Sequence, residues 1–297
     1  MKKKRILTVV LVMIIAIIAM IIGHLYYLNT LSKADPYPLD RFLLSQTNKK
    51  ALIIVAHDDD AIGMSGTIAF LCKNDWEIRE LCFYQGWKNK DSTRKVDLKS
   101  VANLLGMAGV EYHDIELRRN RENIKKPWLP IPYADFEKSY NKDTAYYYID
   151  KFIKTYNPSV IFTLDNIMGG YGHPDHVFIS KLIIDYCKQH INDTSIHVAA
   201  IYQAVFDPAM NERILKDLEA YKLAKKIYNV KSSPKPDVYV SLEGYETIKK
   251  KAMLSYTTEQ NSLTKIWPFY NYYPGSIYFK IFDKEYYRVL KKDEKYR

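Results

Sequence analysis

The sequence predicts an α/β domain whose mostly parallel sheet is covered by helices on both faces, preceded by one N-terminal transmembrane helix. Three observations predict it. Short unbroken apolar runs, ALIIVA (51–56) and SVIFTL (159–164), read as strands buried on both faces. Segments of helical period lie between them, the alternation that builds a parallel sheet. An uncharged stretch from Ile6 to Ile22 follows KKKR at positions 2–5. The 297 residues are 47% hydrophobic and 26% charged, enough to bury a substantial core. Setting the N-terminal segment aside leaves roughly 260 residues, which suits one large α/β domain or two small ones.

Residues 1–30 form the membrane segment, because nearly 20 apolar residues cross a hydrocarbon core of ~30 Å as a helix. The basic cluster places the N-terminus in the cytoplasm, with Tyr26 and Tyr27 at the far interface. A cleaved signal peptide is the alternative, with Ser32-Lys33-Ala34 as a passable site that would release a secreted protein. Residues 31–49 hold two prolines and read as a linker. The domain proper spans 50–297. After the strand at 51–56, Ser65–Cys72 suits a helix capped by Ser65. Glu77–Tyr84 reads as a strand, Thr93–Leu105 as a helix stopped by Gly106, and Val110–Leu117 as a third strand. Residues 118–142, with three prolines, form an irregular excursion. Thr144–Tyr156 is helical, 159–164 a strand, and 166–172 a Gly-rich loop before a helix over Asp175–His190. A strand around His197–Ala204, a helix over 209–227, a strand at 238–242 and a helix over 242–256 follow. The pattern is Rossmann-like and doubly wound. Ligands in such sheets bind beyond the carboxyl ends of the strands, and both 56–60 and 165–176 lie there.

Net charge is +10, but without the four basic residues at 2–5 the rest holds 40 basic against 34 acidic residues. That mild excess suits an anionic surface and gives no nucleic-acid signature. The lysines at 222–226 and 249–251 read as solvated helix faces. Three cysteines and no CxxC offer neither a disulfide framework nor a thiolate metal site.

Of seven histidines, His24, His113, His190 and His197 stand apart and suit packing or surface roles. The other three sit among carboxylates, in His57-Asp58-Asp59-Asp60 and His173-Pro174-Asp175-His176. A catalytic zinc takes three protein ligands and leaves one position open. His57 and Asp60 leave one strand, His176 leaves another, and adjacent parallel strands would bring them together. Pro174 suits the first turn of a helix.

These residues carry a resemblance. AHDDDAIGMSGTIAFL, followed by CFYQGW, is similar to the opening of the PIG-L/LmbE-type de-N-acetylase family, whose usual motif is AHPDDE. VIFTLDNIMGGYGHPDHV resembles its second motif, HPDH; Arg94 and Asp97 fall where the family has an Arg-x-x-Glu helix. KPDVYVSLEGYETIKKKAMLSYTTEQ resembles its closing helix, so the likeness covers about residues 50–262. It implies a zinc-dependent hydrolase, with another divalent metal as an alternative, and His57, Asp60 and His176 as ligands. Asp59 would be the general base, and His173, oriented by Asp175, the positive group facing the oxyanion. Tyr171 would help hold that oxyanion, and Arg94 would bind sugar hydroxyls. The implied reaction removes an N-acetyl group from an N-acetylglucosamine-type sugar of a cell-surface glycan or glycolipid, on the extracytoplasmic side of the membrane.

Two positions depart from the family pattern: Asp58 stands where it has Pro, and Ala61 where it has Glu. A third adjacent carboxylate needs a cation to neutralise it. A catalytically impaired member that binds envelope glycan is therefore the alternative. Trp87 is placed to overlook the cleft, and the aromatic run 267–273 reads as core packing or a membrane-facing belt before it reads as a sugar platform.

Overall fold

The computed structural model describes residues 2–83, 91–113 and 115–296; Trp87 lies outside them. Helix α1 (Lys2–Ser32) leads, followed by a short turn α2 (Phe42–Ser45) and strand β1 (Lys50–Val55). Then come α3 (Ser65–Lys73), β2 (Glu77–Cys82), α4 (Asp91–Leu105) and β3 (Gly109–Tyr112). The proline-rich excursion carries only the single turn α5 (Phe136–Ser139) before α6 (Lys142–Tyr156) and β4 (Val160–Leu164). The turn α7 (Gly169–Gly172) leads into α8 (Pro174–Gln189) and β5 (Ala200–Val205). The C-terminal third is α9 (Pro208–Leu215), α10 (Glu219–Ile227), β6 (Val238–Ser241), α11 (Glu246–Ser255), α12 (Gln260–Ile266), α13 (Gly275–Ile281) and β7 (Lys284–Lys291).

The seven strands form one sheet in the order β3-β2-β1-β4-β5-β7-β6. β3 through β5 run parallel and β7 is antiparallel to both its neighbours. The chain starts at β1 and winds outward both ways, so β1 and β4 flank the switch point where the two halves part. Alternate residues of β1 feed opposite cores: Ile53 and Val55 join one, Leu52 and Ile54 the other. Such burial of both faces is why β1 and β4 carry unbroken apolar runs.

Three expectations change. The helix expected over 209–227 is two, because Leu218 takes an extended conformation (φ −71°, ψ 125°) and α10 turns back against α7. Residues 31–49 are packed on the domain and form no free tether. Asp40 is buried and accepts from Tyr202 Oη at 2.7 Å, Tyr37 Oη donates to Asp207 at 2.7 Å, and Leu39 bridges to Tyr239. Lys249 is no solvated face: it is 2% exposed in the core beneath β1's exit.

Candidate metal and acid–base site

Beyond β1 the chain turns through His57, Asp58 and Asp59 into a 3-10 turn that starts at Asp60. Beyond β4, Asp165 organises the Gly-rich loop: its buried carboxylate accepts N–H groups from Ile167 (2.9 Å), Met168 (2.6 Å) and Gly170 (2.6 Å). Gly169 has φ +61°, and a Cβ there would meet His176 Cβ at 2.8 Å, so only glycine lets the loop lie on α8.

The two exits meet in a triangle. His57 Nδ1 is 3.2 Å from His176 Nε2, His176 Nε2 is 2.9 Å from Asp60 Oδ1, and Asp60 Oδ2 is 3.4 Å from His57 Nδ1. Donors bonded to one tetrahedral zinc at ~2.0–2.1 Å stand about 3.3 Å apart. The two imidazole nitrogens and the Asp60 carboxylate, one oxygen of which faces each ring, therefore fit a single ion of that kind. Their outer partners orient the rings. His176 Nδ1 is 2.9 Å from the Gly169 carbonyl and donates there, which turns Nε2 toward Asp60. His57 Nε2 is 3.2 Å from Asp175 Oδ2, which leaves His57 Nδ1 facing the triangle. Asp175 is steadied in turn by Tyr140 Oη, which donates to it at 2.7 Å. Burial opposes a charge on His57, but Asp60 and Asp175 outweigh it and push its pKa up to about 10. Burial likewise opposes ionised Asp60, yet His176 and His57 hold it well below the usual carboxylate range.

His173 caps α8, its Nδ1 accepting the Asp175 backbone N–H at 3.2 Å. Its ring stacks on His176 at 4.5 Å and meets His57 edge-on at 4.7 Å; nitrogens of the three imidazoles fall within 4.8 Å of one another. The Asp175 carboxylate hydrogen-bonds His57 and Tyr140, and Asp175 reaches His173 through its backbone N–H. Burial pushes the His173 pKa well down, with His176 and His57 adding to the effect against Asp175 and Asp60. Tyr171 is half-buried, with its ring 5.5 Å from that of His176.

Asp58 is fully buried and its partner is Arg94. Arg94 Nε donates to both Asp58 oxygens at 2.9 and 3.0 Å, Nη2 also reaches Asp58 and lies 3.0 Å from Asp59 Oδ1, and Nη1 pairs with Glu259. Burial and Asp59 push the Asp58 pKa up to about 7, against the pull of Arg94. Arg94 is 8% exposed and paired with the carboxylates of Asp58, Asp59 and Glu259. Asp97 ties the same helix to the α11–α12 turn, accepting from Thr257 N at 2.9 Å.

Asp59, Asp60, Tyr171 and His176 lie in a cleft of about 990 Å³, mouth included, whose far wall is apolar: Leu263, Ile266, Trp267, Phe279 and Phe282. On its floor sits a buried ion pair that the sequence did not reveal. Lys249 Nζ bonds Glu285 and the carbonyls of Ile62 (3.3 Å) and Gly63 (3.2 Å), while Glu285 accepts the N–H groups of Gly66 (2.9 Å) and Thr67 (2.7 Å) at the start of α3. The pair clamps the turn that carries Asp59 and Asp60.

Fold and site together define an α/β domain with a His/Asp metal-type centre at the switch point of its sheet. Residues 52–187, a segment that holds both motifs, match the family model described as PIG-L: GlcNAc-PI de-N-acetylase. Among solved structures, the chain resembles the N,N'-diacetylchitobiose deacetylase of Pyrococcus horikoshii, with a TM-score of 0.51 and 18% identity over 86% of this chain and 90% of that one. It also resembles the A40926 pseudoaglycone deacetylase Dbv21 (TM-score 0.49, 14% identity, 82% and 98% covered). GalB, the 4-carboxy-2-hydroxymuconate hydratase of Pseudomonas putida KT2440, is a third (TM-score 0.47, 14%, 82% and 96%). At these identities the likeness is one of fold. No curated protein matches the chain in sequence.

Proposed function

We propose that the chain is a metal-dependent N-deacetylase acting on an N-acetylglucosamine-type sugar of a cell-surface glycan or glycolipid. The observation that carries this reading is the triangle of His57 Nδ1, Asp60 and His176 Nε2, sized for one ion and opening on a cleft that also holds Asp59. Zinc, or another divalent ion held there, supplies acidified water and polarises a carbonyl oxygen. The chain's own residues do the rest. Asp59 takes the proton of the attacking water and returns it to the departing amine. His173, with Nδ1 occupied by the Asp175 N–H, presents Nε2–H to the developing oxyanion, and Tyr171 stands beside it. Arg94 and Asp58 fix Asp59 at 3.0 Å and leave sugar recognition to other groups of the cleft.

Helix α1 is long and apolar enough to cross a membrane. Its last turns support an uncleaved anchor, and the basic cluster at 2–5 supports a domain on the extracytoplasmic side. Leu28 and Leu31 belong to the domain core, and cleavage near Ala34 would strip them from it. The glycan-binding alternative draws on Arg94, which shares the base Asp59 and would hinder its proton transfer. Acetate release from N-acetylglucosamine-bearing substrates decides between them. Turnover abolished by chelator, restored by Zn²⁺ and lowered by about 10²–10⁴ in Asp59→Asn supports the deacetylase. Glycan binding with no acetate release at any metal loading would replace it with the binding protein.

A further inference from the structure

The C-terminal end of α1 is built into the domain, and that fixes which face of the domain meets lipid. His24 Nδ1 lies 2.6 Å from Tyr273 Oη, and the His24 ring packs edge-on against Phe269 at 4.6 Å. Tyr27 meets the same Phe269 at 6.5 Å. One turn further on, Leu28 and Leu31 are buried, and Arg213 Nε donates to the Leu31 carbonyl at 3.4 Å. Helix α1 packs on α9 and α13, and residues 31–49 are docked on the domain as well.

The helix supplies a ruler. Residues 6–22 are exposed along their whole length. At ~1.5 Å per residue, a hydrocarbon core of ~30 Å takes about 20 residues, which counted from Ile6 ends near Leu25. The contact of His24 and Tyr27 with Phe269 and Tyr273 thus stands at the membrane interface, not above it. The side chains around it are those an interface selects. Tyr272, whose ring lies 5.8 Å from that of Phe269, is 71% exposed; Tyr26 is 69%, Tyr27 47%, and Ile277 on α13 41%. Tyrosine there buries its ring against acyl chains and keeps its hydroxyl among headgroups. Such a patch gains from lying ~5–10 Å into the headgroup–acyl boundary, whereas in water it is an unpaid apolar surface.

Resting on the anchor reading above, we propose that the face formed by Phe269, Tyr272 and Ile277 beside Tyr26 and Tyr27 lies on the lipid surface and holds the domain flat against the bilayer. The chain just before this face, Leu263 to Trp267, is also the apolar wall of the cleft. The wall of the metal-type centre is therefore continuous with the segment that touches lipid.

Single cysteines carrying an environment-sensitive fluorophore test this in the full chain, in a Cys72→Ser background, reconstituted in phosphatidylcholine/phosphatidylglycerol nanodiscs. Nitroxides near the ester or near the methyl end of the acyl chains serve as shallow and deep quenchers. The expected result is that Tyr272→Cys is blue-shifted and quenched by the shallow nitroxide, and Val12→Cys by the deep one. Glu111→Cys, on the opposite edge of the sheet, is quenched by neither. Deep quenching at position 12 with position 272 as unquenched as 111 would overturn the docking and leave the anchor standing. No quenching at position 12 would overturn both.

Discussion

Replacing Lys249 with Met tests whether the buried clamp under the metal turn is structural, functional or both. Lys249 is 2% exposed and Glu285 5%. Removing the ammonium strands a buried carboxylate, which costs about 3–5 kcal/mol when nothing compensates. Here Glu285 keeps two backbone donors, Gly66 and Thr67, at the positive end of the nine-residue helix α3. The low end therefore applies: about 3 kcal/mol, or roughly 6–12 °C in Tm for a domain of this size. Lys249→Met/Glu285→Gln removes the stranded charge, and its loss should fall short of the sum of the single losses by about 1–3 kcal/mol. Lys249 also binds the carbonyls of Ile62 and Gly63, two and three residues after Asp60. Loosening that turn should weaken metal affinity about 10–100-fold, the usual effect of losing an outer support. Thermal unfolding in detergent and competitive zinc titration read the two effects. A Lys249→Met protein within about 0.5 kcal/mol of wild type, with unchanged zinc affinity, would refute the clamp.

His57 gives a pH prediction. Its pKa is raised from 6.5 to about 10 in the folded chain, so its proton stabilises the metal-free fold fully below pH 6.5 and that contribution fades as pH rises through about 10. Because an ion needs the neutral ring, affinity should climb up to about tenfold per pH unit between 7 and 9, with proton release visible by calorimetry in buffers of different ionisation enthalpy; a flat profile would contradict this. Asp58→Ala strands Arg94 among fewer partners and should cost about 3 kcal/mol, whereas Asp58→Asn, which keeps an acceptor for Nε, should cost less than half of that by chemical denaturation. Equal losses in both variants would show that the charge of Asp58 carries the pairing and that a neutral acceptor adds nothing.

The ligand-bearing motifs were legible because a simple rule places them: buried parallel strands show as apolar runs, and their carboxyl ends face one edge. That rule puts His57, Asp60 and His176 at one edge of the sheet, and the resemblance to the family singled them out from their neighbours as candidate ligands. What escaped was everything fixed by long-range pairing. Strand β7 reads KEYYRVLK, whose interior Glu285 and Arg288 hide a central strand. Glu285 is there because Lys249, 36 residues earlier, reaches it from α11, and a lysine in a KKK run gives no sign of burial. Asp175 pointed to His173 by proximity in sequence, while the fold delivers its carboxylate to His57, 118 residues away.

The run of three aspartates follows the same logic. Like charges in a row are tolerable where cations offset them, and here the turn sends them in different directions. Asp60 faces His57 and His176 in the triangle, Asp58 points back into the core against Arg94, and Asp59 remains at the cleft with one edge of the same guanidinium. Arg94 thus does for Asp58 what a proline at that position would make unnecessary. With Asp58 present, Arg94 is held by the carboxylates of Asp58, Asp59 and Glu259, and Asp60 is left to His57 and His176.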